Sequence, residues 1–245
     1  MSRSDRQGEG NGGGAGEETQ AVAERYARRA AVPAGRYSPL RPEVWQMLQE
    51  RQRVMLRRLA AFGITNLARL HIAEVGCGSG GNLLEFLRLG CQPQHLFGAE
   101  LLPERFAQAR AVLPAGTTLW LGDATQAPLP AASQDIVLQS TVFSSLLDDA
   151  FQQRLADAMW RWVKPGGAVL WYDFTVDNPR NPDVRGVPLK RVRQLFPQAH
   201  ITADRVTLAP PLARLACRVH PGLYGLFNAL PLLRTHVLAW AHKKP

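Results

Sequence analysis

The chain has 245 residues, 46% of them hydrophobic, with 29 Lys/Arg against 20 Asp/Glu and three Cys. That length and apolar content suit one sizeable domain with additions, and the lack of any uninterrupted apolar run of about 18 residues argues against a transmembrane helix. Cys77, Cys91 and Cys217 stand apart without metal-site spacing, so they read as reduced buried thiols and no metal is expected.

Charge is uneven along the chain. Residues 1–69 carry net +5, residues 70–175 net −4 and residues 176–245 net +8. Basic ends around an acidic middle fit an anionic partner, such as a phosphorylated substrate, an anionic membrane surface or nucleic acid. An arginine-rich composition bias explains the same numbers equally well.

Residues 1–20 are polar and glycine-rich with no apolar signal core, which reads as a disordered tail and a cytoplasmic protein. Residues 21–31 and 43–62 read as helices of an N-terminal extension spanning 21–69. The second helix collects Val44, Met47, Leu48, Val54, Met55, Leu56 and Leu59 largely on one stripe. From residue 70 the pattern switches to alternating strands and helices. Strands are predicted over 70–75, 95–100, 117–123, 135–139, 168–174, 200–208 and 235–243. Helices are predicted over 81–90, 103–113, 148–163 and 188–196. Such alternation predicts an α/β, Rossmann-like sheet, seven-stranded and mainly parallel, sandwiched by helices. An apolar insertion at 209–234, with Arg214, Arg218 and Arg234, separates the last two strands and reads as a helical addition.

The stretch AEVGCGSGG at 73–81 follows the first strand directly. Glycines at a strand-to-helix turn admit positive φ and let a ligand approach free backbone N–H groups. Gly76, Gly78 and Gly81 also satisfy the dinucleotide fingerprint, with Glu100 near the place of a ribose-binding acid, so a nicotinamide cofactor must be weighed. Glu74 speaks against it, since a carboxylate beside a pyrophosphate is repulsive. It suits a ligand bearing an ammonium and a sulfonium.

Four stretches, AEVGCGSGGNLLEFL, GAELLPERFAQAR, LGDATQAPLPAASQDIVLQSTVFS and WVKPGGAVLWYDF, together resemble class I S-adenosylmethionine-dependent methyltransferases of the small-molecule type. The resemblance covers about residues 70–175. It implies a domain over 70–245, with a cofactor-binding core at 70–175 and a substrate-side region at 176–245. It implies S-adenosyl-L-methionine as cofactor. Gly76, Gly78 and Gly80 would line the methionine and ribose part, and Glu74 would orient the amino-acid end. Glu100 would accept both ribose hydroxyls, and Leu101 would pack on the adenine. Asp123 and Ala124 would bind its edge, and Gln139 would face the methionine carboxylate or the reacting centre.

For the acceptor, the proline-broken loop after the fifth strand supplies Tyr172, Asp177, Arg180 and Arg185 as contacts, with Asp173 as candidate base. A turn-rich loop with local caps fits the same residues. Tyr37 and the N-terminal extension are candidates for a lid. The expected activity is direct methyl transfer to a small-molecule or carbohydrate-type acceptor, anionic or lipid-linked, giving an O-methyl product. A peripheral membrane contact through 209–234 is an open expectation. The alternatives are an RNA methyltransferase and a non-catalytic cofactor-binding subunit. No DNA partner is expected, and the oligomeric state is not readable.

Overall fold

A computed structural model describes residues 13–29, 34–179 and 181–245. The described part begins with helix α1 (Gly13–Arg29), a 3-10 turn at Ala34–Tyr37 and helix α2 (Pro42–Ala61). The expected tail is therefore helical from residue 13, and residues 1–12 lie outside the described part. Glycine-rich composition hid this helix, which is held by tertiary contacts. Glu18 and Arg25 are both buried, at 7% and 8% exposure.

The alternation then runs β1 (Ile72–Val75), α3 (Gly81–Arg88), β2 (Leu96–Glu100), α4 (Pro103–Val112), β3 (Thr118–Leu121), β4 (Gln134–Ser140), α5 (Asp149–Trp162), β5 (Val163–Phe174), α6 (Leu189–Leu195) and β6 (His200–Leu208). Helices α7 (Pro210–Val219) and α8 (Leu223–Asn228) form the insertion before β7 (Arg234–His242). The sheet order is β3-β2-β1-β4-β5-β7-β6. β7 is antiparallel to both neighbours, and the other pairings are parallel. β5 begins at Val163, five residues before the predicted start at 168, and so takes in Lys164–Gly167. Its glycines are absorbed as an irregularity, the register shifting between Gln134 and Ile136, with Gly166 at φ +79°.

Strand order reverses between β1 and β4, and ligand clefts in such sheets open beyond the carboxyl ends of the strands at that point. β1 is buried throughout, as a strand with helices on both faces must be. One face packs Val137, Val169, Trp171 and Ala239 against α5 and α6. The other packs Ile136, Leu170 and Trp240 against α2 and α3.

Two close contacts fix this packing. Glu50 of α2 is buried and accepts hydrogen bonds from the Thr207 amide (3.0 Å) and the Tyr224 hydroxyl (2.9 Å), tying α2 to β6 and α8. A methyl group at Gly98 in β2 would sit 2.9 Å from Cys77 Sγ, Leu83 Cδ1 and Leu119 Cδ2. Gly98→Ala is therefore expected to lower the free energy of unfolding by about 1–3 kcal/mol, read as a lower urea midpoint at unchanged slope.

Candidate active site

β1 ends at Val75 and the chain turns through Gly76, Gly78 and Gly80, at φ +64°, +57° and +86°. Three left-handed positions in five residues favour glycine, which adopts them without steric penalty. At Gly76 a Cβ would also meet Val142 Cγ2 at 2.5 Å. The turn is clamped from β2. Glu100, 5% exposed, accepts from the Gly78 amide through Oε2 (2.7 Å) and from the Leu102 amide through Oε1 (2.9 Å). One carboxylate thus braces two loops, and each oxygen keeps a further lone pair for a ligand hydroxyl.

A cleft of ≈ 120 Å³ opens at this point, lined by Gly76, Glu100, Leu101, Asp123, Ala124 and Thr141 among others. Asp123 Oδ1 caps the 3-10 turn that follows it, accepting from the Thr125 amide at 2.8 Å. Thr141 sits at φ +57°, an uncommon conformation for a β-branched residue, just where β4 meets the cleft.

The far wall comes from α1, which contributes Thr19, Val22 and Tyr26. Arg105 also lines the cleft, its guanidinium 4.6 Å from the Tyr26 ring centroid. Arg25 pairs with Glu18 at 2.9 Å and donates to the Ser145 carbonyl at 2.9 Å, while Glu18 accepts from the Leu147 amide at 2.8 Å. Arg28 pairs with Asp183 at 2.6 Å, so α1 is latched to the segment after β4 and to the loop after β5. Arg25→Ala would leave the Glu18 carboxylate buried without its cation. The expected result is faster amide exchange across α1, equivalent to roughly 1–3 kcal/mol of local stability, with the strands unaffected.

Behind the glycine turn lies a second chain of polar contacts. Arg51 of α2 donates to Ser140 Oγ (3.2 Å) and Asn82 Oδ1 (2.6 Å), and Asn82 Nδ2 donates to Glu74 Oε1 (2.5 Å). Glu74 Oε2 is buried without a partner. Burial pushes the Glu74 carboxyl up to about 7, against the opposing pull of Asn82 and Arg51. A smaller cavity of ≈ 20 Å³ lies between α2 and α3, lined by Arg51, Asn82, Glu85 and Tyr172. Ser140 lines both cavities, so they adjoin.

Several predicted site residues lie elsewhere. Gln139 is fully buried, its amide donating to the Tyr172 carbonyl (3.3 Å) and accepting from the Val142 amide (3.0 Å). It braces the end of β4 and does not line the cleft. Asp173 is fully buried within β5, accepting from the amides of Ser144 (3.1 Å) and Phe174 (3.0 Å). β5 continues past it to pair with β7, which leaves it no access to an acceptor as a base. Tyr172 points to the opposite face, where its hydroxyl meets Thr207 Oγ1 at 2.8 Å and its ring stacks on His236. Tyr37 is 73% exposed and outside the cleft. Asp177 accepts from the Gly186 amide at 2.7 Å, closing its own loop. Arg185 pairs with Asp149 at the surface. Arg180 lies outside the described residues. The lid residues Thr19, Val22 and Tyr26, and Arg51, carry no motif that sequence reading could seize; only the fold brings them to the site.

A family model described as a methyltransferase domain matches residues 72–167, the same span that builds the glycine turn, Glu100, Asp123 and β4. Residues 72–167 form a class I S-adenosylmethionine-dependent methyltransferase domain. A tRNA N(3)-methylcytidine methyltransferase of Drosophila melanogaster is 31% identical over 111 residues, 42% of this chain and 34% of that protein. The chain thus spans about a third of that relative's length. Among solved structures, a Burkholderia thailandensis 1,6-didemethyltoxoflavin-N1-methyltransferase aligns with a TM-score of 0.62 at 16% identity, over 94% of this chain and 90% of that one. An S-adenosylmethionine-dependent methyltransferase of Mesorhizobium loti aligns with a TM-score of 0.56 at 18% identity, over 76% and 96%. At such identities these likenesses concern the fold.

The cofactor of a methyltransferase domain of this class is S-adenosyl-L-methionine, and the residues present fit it. The glycine turn leaves backbone open to a ligand, Glu100 and Asp123 present carboxylates to the cleft, and Glu74 keeps one buried oxygen unpaired. A nicotinamide dinucleotide would instead meet an acidic side chain behind the turn.

Proposed function

We propose that the chain transfers the methyl group of S-adenosylmethionine by direct in-line displacement to a small-molecule acceptor held under α1. The observation that carries this reading is the cleft over the ends of β1, β2 and β4, carboxylate-lined on one wall and roofed by Val22 and Tyr26 on the other. When bound, the cofactor supplies a methyl group already activated on a sulfonium. The protein's tasks are then to orient, to align and to exclude water. Glu100 would hold the ribose, Asp123 and Ala124 the adenine edge, and the Glu74–Asn82–Arg51 chain the amino-acid end. α1 would exclude water.

The acceptor class follows from Asp173. A sugar hydroxyl needs a base beside it, and Asp173 is fully buried and lines neither cavity. Among the described residues, the carboxylates lining the cleft are Glu100 and Asp123, which the cofactor reading already employs. We therefore favour a nucleophile that needs little help, a phenolic oxygen or a nitrogen, over the carbohydrate-type hydroxyl. The partial match to a tRNA methyltransferase and the net charge of +9 support RNA as the second reading.

The test is release of S-adenosylhomocysteine by the full chain with phenols, nitrogen heterocycles, sugars and tRNA. Turnover with phenols or heterocycles is expected. Turnover with sugars alone would reverse the base argument, and turnover with tRNA alone would install the second reading. Cofactor binding with no turnover on any acceptor would favour a non-catalytic subunit.

A further inference from the structure

The insertion between β6 and β7 is apolar on the outside as well as the inside. Helix α7 buries Ala213, Ala216 and Cys217, and α8 buries Tyr224 and Asn228. Leu215, Val219, Leu226, Phe227, Leu230 and Leu232 remain exposed, Val219 at 75% and Leu232 at 89%. A solvated helix carries charge on such a face, and clustered exposed leucines mark a contact surface.

The insertion itself carries charge of one sign. From Arg205 to Arg234 the chain contains no Asp or Glu, but holds Arg205, Arg214, Arg218 and Arg234. The acids on the elements packed against the insertion are engaged. Glu50 is held by Tyr224 and Thr207, Asp204 pairs with Arg58 at 2.7 Å, and Glu43 faces Arg41 at 3.6 Å. Hot spots of protein interfaces are enriched in tryptophan and tyrosine, and the insertion exposes neither, Tyr224 being buried. Exposed leucines beside arginines, with the neighbouring acids already paired, complement a surface that is greasy beneath and anionic on top.

We infer that α7, α8 and the turn after them dock the protein peripherally on an anionic phospholipid surface. Leucine side chains enter the headgroup–acyl boundary, and the arginines meet lipid phosphates. No helix among the described residues is long and apolar enough to cross a membrane, so the contact is on the surface. Its place in the fold matters. Leu208 pairs with Arg234 at the carboxyl end of β6, so the insertion sits at the end of the sheet that carries the cleft. Docking there brings an acceptor at the bilayer surface toward the site. The inference concerns binding and is read without turnover, so its failure and that of the proposed reaction are separate.

The experiment is co-sedimentation of the full chain with vesicles of phosphatidylcholine containing about one-third phosphatidylglycerol, against phosphatidylcholine alone, at low and high salt. Binding to the anionic vesicles is expected, weakened by salt and by omission of phosphatidylglycerol. The variant L226E/L232E changes two exposed side chains, so its melting temperature and S-adenosylhomocysteine binding should stay as in the parent. Its vesicle affinity should fall about tenfold or more. No sedimentation with anionic vesicles, or sedimentation indifferent to L226E/L232E, would overturn the inference. So would a parent dimer by light scattering that the variant renders monomeric, since the patch would then join two copies of the chain.

Discussion

Glu100→Ala is expected to weaken S-adenosylhomocysteine binding by about a hundredfold or more, because hydrogen bonds to a charged group contribute about 1.5–3 kcal/mol each and two ribose hydroxyls are involved. The substitution has a second effect. It unpairs the amides of Gly78 and Leu102, which Glu100 now holds at 2.7 and 2.9 Å, so the glycine turn loses its brace from β2. The two effects are separable by thermal unfolding with and without ligand. In the parent, S-adenosylhomocysteine at a hundredfold over its Kd should add about 2.7 kcal/mol, or roughly 5–10 °C. In Glu100→Ala the baseline should fall and the ligand shift should vanish. A lowered baseline with an intact shift would make Glu100 a loop brace only.

The second large effect is on pH. Burial raises Glu74 to about 7. Its folded-state pKa lies above the ordinary carboxylate value, so the folded chain holds the proton more tightly than the unfolded one. The stability this confers is full below about pH 4.5 and is lost as pH rises through 7, on the order of 3 kcal/mol. Asp173 is raised to about 7 by burial as well, so the unliganded protein should weaken between pH 4.5 and 7 through both groups. Glu74→Gln should remove about half of that slope in urea denaturation across the range.

Ligand binding reverses the preference at Glu74. An ammonium group favours the ionised carboxylate, so binding below pH 7 must first displace a proton. Affinity for S-adenosylhomocysteine should rise from pH 6 to a plateau near pH 8, approaching about tenfold per unit at the acid end. Glu74→Gln should bind more weakly at pH 8 and lose most of the pH dependence. Titration calorimetry at several pH values decides it. A flat parent profile would remove Glu74 from the cofactor site.

What the sequence made legible follows from how local each signal is. Strand–helix alternation is local, and every predicted strand from 70 onward is present within a few residues. The glycine turn is local too, since residue type alone marks the positions that admit positive φ. Asp173 shows where local reading stops. It stands at the edge of a loop in sequence, yet β7 reaches back to pair with it at Val237, and that pairing buries it. Gln139 lies one residue before the end of β4, but its amide is satisfied by a carbonyl of β5. α1 is the reverse case. Its glycine-rich start reads as coil, and its partners Ser145, Leu147 and Asp183 lie more than a hundred residues away. Arg51, one arginine among many, becomes distinctive only when α2 sets it above Asn82 and Ser140.

The placing of β7 has a consequence for the order in which the molecule can be completed. β6 is made before β7 but borders the sheet only through it. A ribosome that has finished β6 has therefore produced a strand with nowhere to lie, and the helices that follow it have no seat. A chain stopped before residue 234 forfeits both outer strands at once and bares the edge of β5, an open invitation to pair with a neighbour. Residues 234–242 act as the keystone of the sheet, and a stop before them should yield aggregates in place of a folded, shortened chain.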